Sequence, residues 1–310
     1  MSTTTRRRFL AISAGATVGA MLPGLGRARD AAGAVHVWRG VAMGAAATIA
    51  LDHPDAPALC AAAAREIDRL EDIFSLYRAD SALSRLNRTG SLTAAPPELL
   101  DCLSLVGLTH DATDGRFDPT IQPIWALYAA RFSAGRVPSE EEIATSLTRV
   151  GWDRVAVRGS DITLRPGMAL TLNGIAQGYV ADSVVALLQS RGLRDVLIDT
   201  GETRALGGAP DGDWSVELPT GDRLGLRNRA LATSAPLGTS FDQTGKVGHI
   251  IDPRSGRPAI SPWRQVTVSA PRAAVADALS TAGCVLPDRQ SIERAAAAFA
   301  GARIEALVGA

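Results

Sequence analysis

The first chemical candidate in this sequence is a pair of oxygen-bearing side chains near its C-terminal end. Asp277 and Thr281 lie four residues apart in the run ADALST, in a segment made mostly of alanine. Residues four apart share one face of an α-helix. A carboxylate and a hydroxyl on one face offer oxygen ligands to a hard cation such as Mg²⁺, which takes further ligands from phosphates. A hydrogen-bonded pair inside an ordinary helix is the alternative, and the spacing leaves both open.

The second candidate is the segment Leu170 to Asp182, LTLNGIAQGYVAD. Its pattern predicts the end of a strand over 170–172, a tight break at Asn173-Gly174 and a helix from Tyr179 to Leu188. A glycine turn between a strand and a helix leaves backbone N–H groups free beside the positive end of the helix dipole, which favours binding of an anion. The alternative is an ordinary strand–turn–helix, because the segment is neither G-x-G-x-x-G nor a Walker loop.

Two loops carry further candidates. The run Arg116-Phe117-Asp118-Pro119-Thr120 presents an aromatic ring and a carboxylate where proline disfavours regular structure. A structural cap by Asp118 or Thr120 is the alternative there. His249 lies just before an Asp-Pro turn at 252–253. In a cleft it would act as a general base near neutral pH, whereas a histidine at a strand end is otherwise structural.

Composition and cysteine usage exclude several classes of function. The chain has 310 residues, in which 32 Lys and Arg balance 32 Asp and Glu, so nothing favours nucleic acid or an anionic membrane. Cys60, Cys102 and Cys284 are scattered and form no zinc or thiol-redox motif, so we expect buried free thiols. No G-x-S-x-G elbow is present, which disfavours a serine hydrolase.

Residues 1–34 have the pattern of an export signal. Consecutive arginines at 6–8 precede Phe9 and a weakly apolar run over 11–25, and Ala32-Gly33-Ala34 offers a cleavage site. This pattern predicts twin-arginine export to the periplasm and a mature domain over 35–310, large enough for a substantial core. A Sec signal and an uncleaved anchor are the alternatives.

The remaining sequence alternates short strands with helices. The presence of both kinds of element predicts a fold of the α/β (α+β) class. Helices are expected over 57–70, 82–86, 96–110, 139–148, 179–188, 272–285 and within 291–307. Strands are expected over 35–38, 46–51, 155–157, 162–164, 170–172, 196–199, 214–218, 231–234 and 266–269.

Seven short segments, taken in order, resemble the ApbE family of FAD:protein FMN transferases over Val41 to Leu286. They are Met43-Gly44, FSLY with LN over 74–87, TDGRFDPT over 113–120, GIAQGY over 174–179 with Asp182, ATS over 232–234, HIIDP over 249–253 and ADALST over 276–281. Each segment is short, and their shared order is what carries the resemblance.

The resemblance implies a mixed, mainly antiparallel sheet core with outer helices and two lobes with an FAD cleft between them. It also implies roles for particular residues. The implied FAD-binding residues are Met43, Tyr77, Arg116, Phe117, Asp118, Thr171, Gln177 and Ile250. Mg²⁺ would lie between Asp277, Thr281 and the backbone carbonyl of Gly174. A threonine or serine hydroxyl of an acceptor protein would attack the FMN-side phosphorus of FAD, AMP would leave, and His249 would take the proton.

The sequence also departs from the common family pattern. Many members have an aspartate where Thr171 stands and a lysine where Gln177 stands. The segments TLNGIAQGY, GETRALG and LATSAPLGTSFD together resemble a branch of the family, the exported accessory protein of nitrous oxide respiration. That branch implies an acceptor domain on a membrane flavoprotein that supports nitrous oxide reductase. Two alternatives remain open: an FAD pyrophosphatase that releases FMN and AMP, and a non-catalytic periplasmic FAD-binding carrier.

Overall fold

The computed structural model describes residues 35–310 and contains a large sheet covered by helices. The predicted twin-arginine signal over 1–34 lies outside the described residues. The helices are α1 (Ala56–Phe74), α2 (Ala82–Thr89), α3 (Pro97–Ala112), α4 (Gln122–Ser133), α5 (Glu140–Leu147), α6 (Ala176–Ser190), α7 (Ala273–Gly283) and α8 (Arg289–Ala297). The strands are β1 (His36–Ala42), β2 (Ala45–Leu51), β3 (Ser91–Leu92), β4 (Ala156–Arg158), β5 (Asp161–Thr163), β6 (Val196–Asp199), β7 (Thr203–Leu206), β8 (Trp214–Glu217), β9 (Arg223–Leu226), β10 (Ala230–Ser234), β11 (Ile251–Asp252), β12 (Arg257–Pro258), β13 (Trp263–Ala270) and β14 (Arg303–Gly309).

Seven strands form the main sheet, in the order β1-β2-β6-β7-β10-β13-β14, and every neighbouring pair is antiparallel. The first hairpin turns at Met43-Gly44, where both residues have positive φ angles of 52° and 82°. Two positive φ angles give a two-residue turn the twist of the flanking strands, which explains the tight β1–β2 connection.

Helices α1, α6 and α7 cover one face of this sheet and share its largest hydrophobic core. Helices α6 and α7 come close at Gly178, where an added Cβ would lie 2.3 Å from the carbonyl oxygen of Ala273. The carboxylate of Asp182 accepts hydrogen bonds from the N–H groups of Ala273 and Ala274, at 2.9 and 3.1 Å. It therefore caps the N-terminus of α7 and fixes that helix against α6.

A smaller hydrophobic cluster lies apart from this core. Ile124 and Tyr128 of α4 pack there with Ile143 of α5 and with Phe241 and Ile251 from the segment after β10. The two clusters correspond to the two expected lobes. The opposite face of the main sheet is covered by the β8–β9 hairpin through buried Trp214.

The main correction to the predicted elements concerns residues 170–172, which form no strand. Leu170 exchanges two hydrogen bonds with the side chain of Asn87, at 2.7 and 2.8 Å, and the N–H of Thr171 donates to the carbonyl of Pro119 at 2.8 Å. The segment is extended, but a side chain and a loop satisfy its backbone in place of a neighbouring strand.

The expectation of buried free thiols is confirmed, because all three cysteines are buried and free. Ser139 and Glu142 form a capping box that begins α5.

Within residues 35–310, no helix has both the length and the apolar character that a membrane crossing requires.

Candidate functional site

One cavity lies between the two clusters and collects most of the residues that the sequence singled out. Its empty volume is about 1010 Å³, open solvent at the mouth included. Ten predicted residues line it: Arg116, Phe117, Asp118, Thr171, Gly174, Gln177, His249, Ile250, Asp277 and Thr281.

The other two predicted FAD-binding residues lie elsewhere. Tyr77 lines an adjoining groove and is 39% exposed. Met43 lines neither the cavity nor the groove; it lies in the β1–β2 turn, where its N–H donates to Oε1 of Glu71 at 2.7 Å. The structure therefore separates these two residues from the ten that meet in the cavity.

The loop before α4 forms one wall of the cavity. Oδ1 of Asp118 accepts from the N–H and hydroxyl of Thr120, at 2.8 and 2.5 Å, and Oδ2 accepts from the N–H of Trp152 at 3.1 Å. Asp118 is thus the cap that the sequence allowed as an alternative. Arg116 donates to the carbonyl of Val285 at 3.0 Å, which ties the same loop to the segment after α7.

The start of α6 does not present the expected row of free N–H groups. Ile175 and Ala176 both donate to the carbonyl of Leu172, and Gly178 donates to Oδ2 of Asp277 at 3.1 Å. The positive end of α6 therefore faces a protein carboxylate. Two hydrogen bonds join Gln177 to Thr200. The side-chain amide of Gln177 donates to the carbonyl of Thr200 at 3.3 Å, and the hydroxyl of Thr200 donates to the carbonyl of Gln177 at 3.2 Å.

Asp277 and Thr281 meet at the cavity as their spacing predicted. Asp277 is 2% exposed, and burial raises its pKa to about 7, an effect that the Gly178 N–H only partly offsets. The hydroxyl of Thr281 lies 3.2 Å from that of Ser234. An added Cβ at Gly174 would lie 3.2 Å from Oγ1 of Thr281, so the Gly174 backbone closely approaches this oxygen.

Glu202 is a cavity residue that sequence reasoning missed. It is 5% exposed, and its Oε2 has no hydrogen-bond partner among the described residues. Burial raises its pKa well above the usual range, and the negative charge of Asp277 raises it further. The signal available in the sequence was the Thr-Gly-Glu run directly after a buried strand.

Neither of these buried acids has a cationic side-chain partner. No salt bridge among the residues of the structure includes Asp277 or Glu202. Across residues 35–310, no three His, Cys, Asp or Glu side chains are grouped to hold a metal. A cation bound here would therefore need hydroxyl and carbonyl oxygens in addition to carboxylates.

His249 lies at the cavity with one ring nitrogen already engaged. Its Nδ1 is 3.0 Å from the carbonyl oxygen of Thr239, and a carbonyl can only accept, so Nδ1 carries the proton. Burial lowers the pKa of His249, which keeps the ring neutral at pH 7. Hydrogen bonding of the ring to the carbonyls of Thr239 and Pro236 only partly offsets this lowering of the pKa. In this tautomer the lone pair is on Nε2, which is therefore the ring nitrogen that can take a proton.

The cavity therefore places the two buried acids Asp277 and Glu202, the hydroxyls of Ser234 and Thr281, and a neutral His249 around one space. Hard oxygens next to a base suit the transfer of a phosphoryl group to a hydroxyl, because that reaction needs charge neutralisation and positioning more than a covalent nucleophile.

Comparisons with known proteins agree with this chemistry. The model of the ApbE family matches residues 43–307. The FAD:protein FMN transferase of Vibrio cholerae serotype O1 is 30% identical over 249 residues, which are 73% of this chain and 74% of the relative. That of Treponema pallidum is 30% identical over 253 residues, 71% of this chain and 69% of the relative. The apo crystal structure of Pseudomonas stutzeri flavinyl transferase ApbE superposes with a TM-score of 0.76 at 27% identity, covering 87% of this chain and 90% of that one.

Proposed function

The chain belongs to the ApbE family of FAD:protein FMN transferases, and from this premise we propose how its cavity performs that transfer and where. The proposed reaction uses Mg²⁺ and attaches FMN to a threonine or serine of a periplasmic acceptor domain. The observation that carries it is the meeting of Asp277, Thr281 and a neutral His249 in one cavity.

The residues present suit a magnesium ion. Asp277 is a buried carboxylate with no cationic side chain against it, and Glu202 Oε2 is a buried oxygen without a partner. Leaving such charge buried and unpaired is unfavourable, so a cation at this wall would compensate it. Asp277, Thr281 and the carbonyl of Gly174 would hold the ion. When bound, Mg²⁺ neutralises the negative charge of a pyrophosphate.

The chain's own groups then act on the acceptor hydroxyl. His249 Nε2 takes the proton as the hydroxyl oxygen forms a bond to the FMN-side phosphorus of FAD. The bond between that phosphorus and the bridging oxygen breaks, and AMP leaves with the electron pair. The carbonyl of Thr239 holds the ring in the tautomer that this step requires.

The cavity walls bind and orient FAD in this proposal. Phe117, Thr171, Gln177 and Ile250 line the space beside the cation-binding wall, and Asp118 keeps the Arg116–Asp118 loop in place. Tyr77, at the edge of the adjoining groove, would contact the flavin from outside the cavity. Met43 lines neither space, so we propose no direct contact for it.

The site of action is also a proposal. The twin-arginine pattern over 1–34 supports export to the periplasm, and an acceptor on a membrane flavoprotein that supports nitrous oxide reductase fits the branch resemblance. Replacing Arg6 and Arg7 by lysine should leave the protein in the cytoplasm. Export of that double variant would contradict the twin-arginine route.

The decisive experiment combines the purified protein with FAD, Mg²⁺ and a candidate periplasmic acceptor domain, and detects an FMN adduct on the acceptor by mass spectrometry. We expect an adduct that requires Mg²⁺ and disappears in Asp277→Asn and His249→Gln. Release of FMN and AMP without an adduct would support the pyrophosphatase alternative. FAD that stays intact throughout would support a carrier.

A further inference from the structure

A second surface feature adjoins the cavity. Trp125 lines both the cavity and a groove whose lining includes Tyr77, Asn87, Arg88, Arg149 and Arg165. The empty volume of this arginine groove is about 1940 Å³, open solvent included, against about 1010 Å³ for the cavity. The reacting hydroxyl of an acceptor must enter the cavity from outside, so the chain on either side of that hydroxyl has to lie on the surface around the mouth.

The arginine groove carries charge of one sign. Arg88, Arg149 and Arg165 are exposed, and its lining contains no aspartate or glutamate. None of the three takes part in a salt bridge within the described part of the chain. The chain as a whole carries no net charge, so this lining is a local excess of positive charge.

The three arginines come from separate parts of the chain and are held at the groove by the fold. Arg88 lies in α2 and donates to the carbonyl of Ala79 at 2.8 Å. Arg149 follows α5 and packs on the backbone of Gly167, where an added Cβ would lie 3.1 Å from its Cδ. Arg165 follows β5. Their convergence is therefore a tertiary feature, and no charged run in the sequence indicates it.

Hydrogen bonds between separate segments hold the floor of the groove together. Asn87 of α2 exchanges hydrogen bonds of 2.7 and 2.8 Å with Leu170, and Leu164 donates to the carbonyl of Gly90 at 2.8 Å. Both contacts join α2 and the turn after it to the extended segment that leads into the cavity wall. A segment bound here would meet a preformed surface, which limits the ordering that binding requires.

We propose that the arginine groove binds an acidic segment of the flavin-acceptor protein, next to the threonine or serine that enters the cavity. This inference rests on the proposed function and adds the chemistry of the partner to it. Carboxylates from the acceptor would pair with the guanidinium groups, which present planar, multidentate donors. Charge pairing of this kind steers association and sets the register of the acceptor on the surface.

The test measures peptide binding in the absence of FMN transfer. The probes are three fluorescein-labelled peptides with one central threonine, flanked by aspartate and glutamate, by lysine, or by serine. The groove variant is Arg88→Glu/Arg149→Glu/Arg165→Glu. The matched control, Arg191→Glu/Arg194→Glu/Arg264→Glu, changes the net charge equally at exposed arginines outside the groove and the cavity.

We expect the unaltered protein to bind the acidic peptide at least about tenfold more tightly than the basic one, with an affinity that falls as salt rises. The groove variant should lose that preference and favour the lysine peptide, while the control triple keeps it. Equal binding of the acidic and basic peptides, or equal losses in both triple variants, would overturn the proposal.

Two further measurements keep this inference separate from the proposed function. The affinity of the groove variant for FAD should stay within about twofold of that of the unaltered protein. If the unaltered protein prefers the acidic peptide but transfers no FMN, that result would contradict the transferase mechanism and leave the groove proposal standing. Flotation with anionic phospholipid vesicles tests whether the three arginines bind lipid headgroups in place of an acidic peptide. Vesicle binding that needs the three arginines, without peptide preference, would overturn an acceptor site in favour of a membrane contact.

Discussion

The backbone N–H of Gly178 donates to Oδ2 of Asp277 across 3.1 Å, which joins the first turn of α6 to the buried face of α7. This contact orients one oxygen of Asp277 toward the helix and leaves the rest of the carboxylate available to the cavity. Both partners are buried, so the bond is made in a medium where it is strong. The position of the proposed cation ligand is therefore set by packing between two helices.

Asp277→Asn should weaken magnesium binding while leaving the fold intact. The amide keeps the shape and an oxygen that can accept from Gly178, but it removes the negative charge that a hard cation requires. We expect Mg²⁺ affinity to fall at least about tenfold by calorimetry, with FMN transfer lost. Asp222→Asn, at an exposed position, is the control. Unchanged Mg²⁺ affinity would remove Asp277 from the proposed site.

The stability of the metal-free protein should fall as pH rises toward 7. The pKa of Asp277 is about 7 in the folded state, against about 3.9 in an unfolded chain, so between those values the folded state binds more protons. Protonation therefore stabilises the fold below pH 7, and this contribution, roughly 1 kcal/mol per pH unit, is lost as pH rises through the window.

Thermal unfolding between pH 5 and pH 8 measures this effect. The slope should be shallower in Asp277→Asn, because the titrating group is gone. Added Mg²⁺ should stabilise the unaltered protein most at the upper end of the range, where the carboxylate is ionised and binds the ion. If stability depended on pH equally in the two proteins, the pKa of Asp277 in the folded state would not be raised.

His249→Gln should remove the transfer step and spare FAD binding. Loss of the base should reduce the rate about 10²- to 10⁴-fold, whereas the cavity wall keeps a polar side chain of similar length. Because burial lowers the pKa of His249, its imidazole is already neutral at pH 7. Raising the pH above 7 should therefore not increase the transfer rate by deprotonating this residue. FAD fluorescence titration and adduct mass spectrometry separate the two effects; an equal loss of binding and transfer would assign His249 to FAD recognition.

Gly174→Ala should displace the groups around the proposed cation site. Its Cβ would lie 3.0 Å from Cγ2 of Thr281 and 3.3 Å from Cε2 of Phe117, both closer than ordinary packing allows. We expect weaker Mg²⁺ binding together with weaker FAD binding. Gly309→Ala is the matched control, since nothing lies within 4 Å of a Cβ at that position. If Gly174→Ala bound Mg²⁺ and FAD as tightly as the unaltered protein, the side chains of Thr281 and Phe117 would have shifted to accommodate the added methyl group.

Gly178→Ala should destabilise the whole fold. Alanine favours a helix over glycine by up to about 1 kcal/mol, but a Cβ here would lie 2.3 Å from the carbonyl oxygen of Ala273. Relieving that clash requires α6 and α7 to separate, which we expect to cost about 1–3 kcal/mol of unfolding free energy in urea titration. An increase in stability, as helix propensity alone predicts, would contradict this account of the helix contact.

Much of the site followed from local sequence patterns. The four-residue spacing of Asp277 and Thr281 predicted a shared helix face, and both side chains line the cavity. The helices that carry and surround these residues could also be predicted, because apolar periodicity and capping residues act over short distances along the chain. The strand predicted over 170–172 was wrong, since a two-way bond between Asn87 and Leu170 joins residues far apart in the chain.

Sequence alone therefore determined the family, seven of the eight helices, most strands of the main sheet, and ten residues that share the cavity. It did not predict α4 or the short strands β3, β7, β9, β11 and β12. Only the tertiary structure decided that Glu202 lines the same cavity as Asp277, that Asp118 is engaged as a cap, and that Arg88, Arg149 and Arg165 converge on one groove. Spacing along the chain encodes local geometry, because helix and strand repeats are short. Burial, pKa values and charge clusters depend on which distant segments pack together, and local sequence patterns do not specify that packing.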